Sequence, residues 1–339
     1  MYMNMNSNKL FFMIILFFST LIAISANSWL GCWIGLEINL LSFIPLISNS
    51  NNLMSSEAAL KYFITQAIAS SNLLMLILLN FLFFSFMFDN KMLMIMINSS
   101  LLMKMGSAPF HFWFPNVLEG LSWMNCFILM TWQKITPMIL LSYYYYSNFL
   151  LVIIILTSMI GAIGGLNQKS LRKLLGFSSI NHMGWMIAAL MMSENLWNFY
   201  FLIYMFLTMI MCYLFFMFNS FYLNQIFYNN FKKSVNFLIF LNLLSLGGLP
   251  PFLGFLSKWI ILNNLVLNKM MLIAFILVMS SLITLYMYIR ITYSALMFNH
   301  LKMKWFHMYI NNKINLKIMI ISMMSLTGLL FSTLIFYIL

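Results

Sequence analysis

Charge is what this sequence lacks most. Its 339 residues include 17 Lys or Arg and 5 Asp or Glu, together 6% of the chain. A soluble protein covers its surface with charged side chains at roughly a quarter of its positions. A soluble enzyme and a soluble nucleic-acid binder are therefore excluded. Cysteine is nearly absent as well. Cys32, Cys126 and Cys212 lie far apart in apolar stretches with no C-x-x-C. That excludes a disulfide scaffold and leaves no pattern for an iron–sulfur cluster or zinc site in the chain. The three read as small buried hydrophobes. What remains is 63% hydrophobic, with a mean hydropathy of +0.96. The chain is a polytopic membrane protein.

Arg occurs twice, Asp once, and Val and Ala are scarce beside 34 Met and 35 Phe. Membrane physics gives no reason to prefer Met and Asn over Val and Ala. An AT-rich genome does, and an animal-type mitochondrial genome fits. Lys9 followed by Leu10–Leu21 has the outline of a signal peptide. Further apolar spans follow at once, so this segment reads as the first span, without a mitochondrial presequence.

Runs long enough to cross a hydrocarbon core of about 30 Å need about 20 residues each. Eleven can be marked: 10–25, 28–47, 57–88, 92–119, 121–146, 149–166, 170–191, 196–221, 234–265, 270–298 and 314–338. The third, fourth and ninth are too long for one straight span and should be tilted, extended or broken. Positively charged residues collect on one side of a membrane protein. Eleven helices place Lys9, Lys61, Lys169, Arg172, Lys173, Lys232, Lys233, Lys302, Lys304, Lys313 and Lys317 on the N-terminal side. Only Lys91 and Lys269 fall opposite. In a mitochondrion this puts the N-terminus in the matrix and the C-terminus in the intermembrane space.

Spans 4 and 9 share a motif. Gly106-Ser107-Ala108-Pro109-Phe110 and Gly248-Leu249-Pro250-Pro251-Phe252 both read G-x-x-P-F. Proline inside a span removes a backbone hydrogen bond and crowds the preceding turn. Two long spans interrupted at corresponding positions point to a transporter built from repeats. Spans 1–5 (about 10–146) and 6–10 (about 149–298) then form five-helix units of inverted topology, each with a broken fourth helix. Glu37 corresponds to His182, and the span at about 314–338 stands outside the repeat. The whole is one all-α membrane domain.

A charge at the bilayer centre costs about 2.5–3.5 kcal/mol on insertion scales. Lys104, Lys134 and Lys258 lie inside spans and are candidates for chemistry, their depth arguing against snorkelling. Lysine, unlike arginine, can release its proton when buried. Arg290, nearer a span end, reads as a structural ion-pair partner. Glu37, the one acid at mid-membrane depth, could hold a lysine's charge and, if moved or protonated, let the proton leave. The alternative is a fixed ion pair. His182 sits among Ser178, Ser179 and Asn181 as a relay or a satisfied core histidine. His111, after the first break, is balanced between lining a hydrated path and structure. Glu57 suits a helix start, Glu119 and Glu194 lie near ends, and Asp89 adjoins Lys91. His300 and His307 belong to a basic loop. Gly161-x-x-Gly164-Gly165 is a small-residue packing face, since no strand precedes it to make a nucleotide fingerprint.

Several motifs carry a family resemblance: Trp33–Asn39, Ser56–Phe63, Lys104–Trp113, Thr131–Lys134, Ser178–Trp185 and Gly248–Trp259. In that order, from about residue 30 to 260, the chain resembles the antiporter-like membrane-arm subunits of mitochondrial NADH–ubiquinone oxidoreductase (respiratory complex I). The resemblance implies two inverted five-helix repeats, and eleven helices because animal members lack three N-terminal helices of bacterial relatives. It implies that Glu37 pairs with Lys104, and that Lys134 and Lys258 continue a proton path. It implies no cofactor in this chain, with NADH, FMN, iron–sulfur clusters and ubiquinone handled by other subunits of the complex. Partners would be other membrane-arm subunits, antiporter-like neighbours among them, and membrane lipids, with no nucleic acid. The chain would be an enzyme only as a subunit of a proton-translocating NADH:ubiquinone reductase. Two alternatives stand beside that reading: a free-standing cation/proton antiporter and a proton-inactive scaffold. The proton reading expects a continuous hydrated line through both breaks, running from Lys104 beside Glu37, past central Lys134 and His182, to Lys258.

Overall fold

The computed structural model describes residues 7–49, 52–82, 90–228, 233–297, 319 and 322–328. Among these the chain is helical: α1 Ser7–Ser25, α2 Trp29–Ile47, α3 Leu53–Leu82, α4 Asn90–Met105, α5 Trp113–Gly120, α6 Trp123–Met130, α7 Trp132–Tyr143 and α8 Ser147–Gly165. There follow α9 Leu171–Met192, α10 Glu194–Met217, α11 Leu223–Tyr228, α12 Lys233–Gly247, α13 Leu253–Leu267 and α14 Met271–Met297. Seven helices among the described residues are long and apolar enough to cross a membrane. The expected eleventh span lies outside the described residues except for 319 and 322–328. His300, His307, Asp89 and the basic residues from Lys302 to Lys317 lie outside them too.

The chain divides into two compact units, Met1–Ile153 and Ile154–Leu339. In the first, α1 and α2 approach closely. A Cβ on Gly35 would stand 2.6 Å from that of Ala23. In the second, Gly161 abuts the Asn181 backbone and Gly164 the Phe177 ring, so the small-residue face of α8 seats α9. Hydroxyls are tolerated among the apolar side chains because they bond back within their own helix. Ser42, Ser100 and Ser179 each donate to the carbonyl three residues earlier.

Both expected breaks are present, and glycine makes each of them. Gly106 and Gly248 have φ of 71° and 84°, a region costly for any residue with a Cβ. Ser107 N–H reaches Leu102 O and Gly106 N–H reaches Met103 O. The second break repeats this pattern, with Leu249 N–H to Leu244 O and Gly248 N–H to Ser245 O. This paired closure of a helix C-terminus is the Schellman motif. The prolines downstream then keep the helix from resuming at once.

The third long run is unbroken over its described residues, where α3 runs on from Leu53 to Leu82. The fifth, read as one continuous span, is interrupted at Thr131, where ψ is −72° and Lys134 N–H turns to Thr131 O at 3.1 Å. Pro137, six residues on, loosens the turn that follows. It offers Gln133 O no N–H, and its ring crowds the turn before it.

Candidate functional site

In the first unit the interrupted helices gather polar groups in an apolar interior. Lys104 occupies the last turn of α4 and is 6% exposed. A helix C-terminus, with its unpaired carbonyls, favours a cation. The last carbonyls of α4 are satisfied by neutral donors. Trp113 Nε1 donates to Met103 O at 3.2 Å, Gln66 Nε2 to Lys104 O at 3.0 Å and Ser107 Oγ to Leu102 O at 3.0 Å. Lys104 itself lines a small cavity with Asn39, Tyr62, Gln66, Gln133 and Thr136, walled by Leu36, Leu40 and Pro137. Gln133 Nε2 donates to Asn39 Oδ1 at 2.9 Å, and Tyr62 Oη to Gln133 Oε1 at 3.5 Å.

Glu37 is half-buried on α2. It makes no direct salt bridge with Lys104, yet its carboxylate is the charge that acts on that lysine through space. Lys134, on α7, is 1% exposed, and its Nζ lies 5.2 Å from the centre of the Phe114 ring. The phenyl face offers a desolvated ammonium a partial partner. Phe114 belongs to α5, so Lys134 rests against the helix that resumes after the first break.

In the second unit Lys258 stands on α13 and is 5% exposed. Its Nζ donates to Gly247 O, the last residue of α12, at 2.9 Å. The Trp185 ring lies 5.8 Å from the same Nζ. His182, on α9 one turn before Trp185, is buried. Its Nδ1 is 2.7 Å from Tyr200 Oη, and the Tyr204 ring centre is 5.0 Å away. Asn181 Nδ2 donates to Thr284 Oγ1 at 3.3 Å.

The secondary candidates resolve differently. Arg290 donates to Leu166 O just beyond the end of α8, so its partner there is a carbonyl rather than an acid. Glu57 lies in the second turn of α3, not at its start, and pairs with Lys61 at 2.6 Å on an exposed face. His111 is tucked into the first break, its Nδ1 3.3 Å from Pro109 O and its ring 4.2 Å from that of Phe112.

Charge-based reading missed Asn39, Gln66, Gln133 and Thr136, which are neutral and carry no insertion penalty like a lysine's. Gln133 and Asn39 lie inside two of the family motifs but were not read as part of the site. Tyr200 was missed because no local spacing links it to His182.

Residues 26–284 match the transmembrane family described as "NADH:quinone oxidoreductase/Mrp antiporter, TM". The chain is 50% identical to NADH-ubiquinone oxidoreductase chain 2 of Anopheles gambiae, over 98% of either sequence. It is 53% identical to that of Aedes aegypti, over 98% of this chain and 99% of the relative. In fold it is similar to a chain of respiratory complex I from Thermus thermophilus, with a TM-score of 0.73 and 23% identity over 85% of this chain and 70% of that one. A chain of the Mrp complex from Dietzia aligns with a TM-score of 0.69 and 16% identity, covering 83% of this chain and 59% of that one.

Proposed function

The chain belongs to the NADH-ubiquinone oxidoreductase chain 2 family, and from that premise we propose that it is a core membrane-arm subunit of respiratory complex I that translocates protons across the mitochondrial inner membrane. Electron transfer from NADH to ubiquinone takes place in other subunits, which hold the flavin and iron–sulfur centres. The N-terminus faces the matrix and the C-terminus the intermembrane space.

The observation that carries the proposal is the burial of Lys104, Lys134 and Lys258, each at most 6% exposed, beside interrupted helices. Desolvating a cation costs several kcal/mol. A protein without a use for three such groups would do better with leucine. The arrangement supports a cycle in which Glu37 holds the protonated Lys104. When the Glu37 charge moves or is neutralised, the uncompensated ammonium gives up its proton. Lys134 is the next acceptor in the first unit. His182, through Tyr200, and Lys258 carry the proton in the second.

The test is Lys104→Met in the assembled complex. Because only a titratable cation can relay protons, native gels should show normal assembly while coupled turnover falls about 10²-fold or more, the scale of one lost acid–base group. An assembled complex with unchanged quinone reductase rate and proton yield would refute the proposal and favour a scaffold.

A further inference from the structure

The described part of the last expected span, residues 322–328, is helical and has no place in the lysine relay. It touches the second break from both sides. Before the break, buried Asn242 on α12 donates through Nδ2 to Leu238 O at 2.9 Å and accepts at Oδ1 from Ser325 Oγ at 2.5 Å. After the break, Gly328 lies so close to α13 that a Cβ on it would stand 2.2 Å from Leu253 Cγ. Ser325 and Gly328 are three residues apart, which puts them on one helix face with about 4.5 Å of rise between them.

A carboxamide buried in an apolar span is costly unless a partner is fixed for it. Bonds from hydroxyls to carboxamides join membrane helices whose apolar faces gain nothing over lipid. Asn242 spends a side-chain N–H on its own helix, and its oxygen holds Ser325. The Ser325 hydroxyl has one hydrogen and a second acceptor, Ser322 O at 2.7 Å. The tie can therefore open without orphaning the serine. Its location bears on the chemistry. Asn242 precedes Gly247 by five residues, and Leu253 precedes Lys258 by five. Each contact is thus about 7.5 Å along its helix from one end of the bond between Lys258 Nζ and Gly247 O.

We propose that the Ser325–Asn242 hydrogen bond is a neutral tie across the second break, fixing α12 against α13 so that Gly247 O stays in reach of Lys258 through a proton cycle. The proposal rests on the proton role of Lys258 and deepens it. Ser325 and Asn242 are positioning residues that act through the helices rather than on the ammonium. The bond from Lys258 to Gly247 O is strengthened by the lysine's charge and weakens in the neutral amine. The Ser325–Asn242 bond carries no charge, so it holds in both states.

Coupled turnover per assembled complex, with thermal melts alongside, tests this. Ser325→Ala removes the hydroxyl and adds no bulk. Turnover should fall about threefold, the scale of one interhelical hydrogen bond in a membrane. Asn242→Leu combined with Ser325→Ala leaves no orphaned carboxamide, so it should melt near the unmodified temperature while turnover stays low. If Ser325→Ala alone does not assemble, this double variant decides. Normal turnover in the double variant would reveal a burial cost rather than a tie and would overturn the proposal, as would unchanged turnover in Ser325→Ala. Because the tie acts through Lys258, Ser325→Ala should lower turnover no further in a Lys258→Met background. A separate threefold loss there would also overturn it. Unchanged turnover in Lys258→Met alone would instead refute the proton role of that lysine, and the tie would fall with it.

Discussion

The two broken helices start from the same five-residue pattern and end with the same glycine-closed turn, yet they leave their lysines in different situations. At the first break the orphan carbonyls of α4 are taken by an indole, a carboxamide and a hydroxyl. The Lys104 ammonium is thereby released to face a polar cavity and the field of Glu37. At the second break the lysine itself closes the helix, with Lys258 Nζ on Gly247 O. A carbonyl is a fixed dipole that cannot withdraw, whereas a carboxylate can be protonated or moved. On the proposed reading, the first lysine is the one whose partner can switch, and the second is the carrier that stands on a backbone carbonyl.

The largest effect that would break this comparison is steric. A Cβ on Gly254 would lie 1.8 Å from Ser245 O, which leaves no room between α12 and α13. Gly254→Ala should prevent assembly, because overpacking against backbone costs several kcal/mol when nothing can yield. A normal amount of assembled complex on a native gel would show that the second break is looser than described.

Next comes Lys258→Met. It removes a charge-assisted bond and leaves Gly247 O without that donor, at a cost of about 2–3 kcal/mol. Assembly should fall several-fold and thermal stability should drop, which Lys104→Met should not cause. Equal thermal stability for the two variants would erase the distinction between the breaks.

Gly106→Ala and Gly248→Ala both force a side chain to positive φ, at about 1–2 kcal/mol each. The added Cβ would meet Phe114 at 2.9 Å in the first and Lys258 at 3.1 Å in the second. The lysine stem is flexible and the ring is packed, so Gly106→Ala should be the more damaging in a thermal melt. The smallest effect is expected from Trp113→Phe, which removes one neutral cap from Met103 O for about 1 kcal/mol. Its signature should be a modest shift in melting with proton yield retained.

The parts of this arrangement that were legible in the sequence are those that carry a steep local cost. Glycine and proline at G-x-x-P-F announce a break, because no regular helix tolerates that combination. A lysine deep in an apolar run announces itself by its insertion penalty. The interruption at Thr131 was less legible, since Pro137, six residues on, is also compatible with a mild kink in one continuous helix. The lining of the Lys104 cavity was not legible as a set. Gln66, Asn39 and Thr136 come from three different helices, and only the fold brings them together. The same holds for Tyr200, which meets His182 across two helices, and for Glu57, whose place in the second turn of α3 is set by a helix that begins earlier than its serines suggest.

The central claim, that Lys104 acts by releasing a proton rather than by carrying a charge, is tested most directly by Lys104→Arg in the assembled complex. Arginine keeps the positive charge beside Glu37 but does not give up its proton in proteins. Proton yield per NADH oxidised, measured in sealed vesicles, should fall as far as in Lys104→Met while the native gel shows intact assembly. A Lys104→Arg complex that pumps at the unmodified yield would contradict the account and reduce this lysine to a fixed electrostatic post.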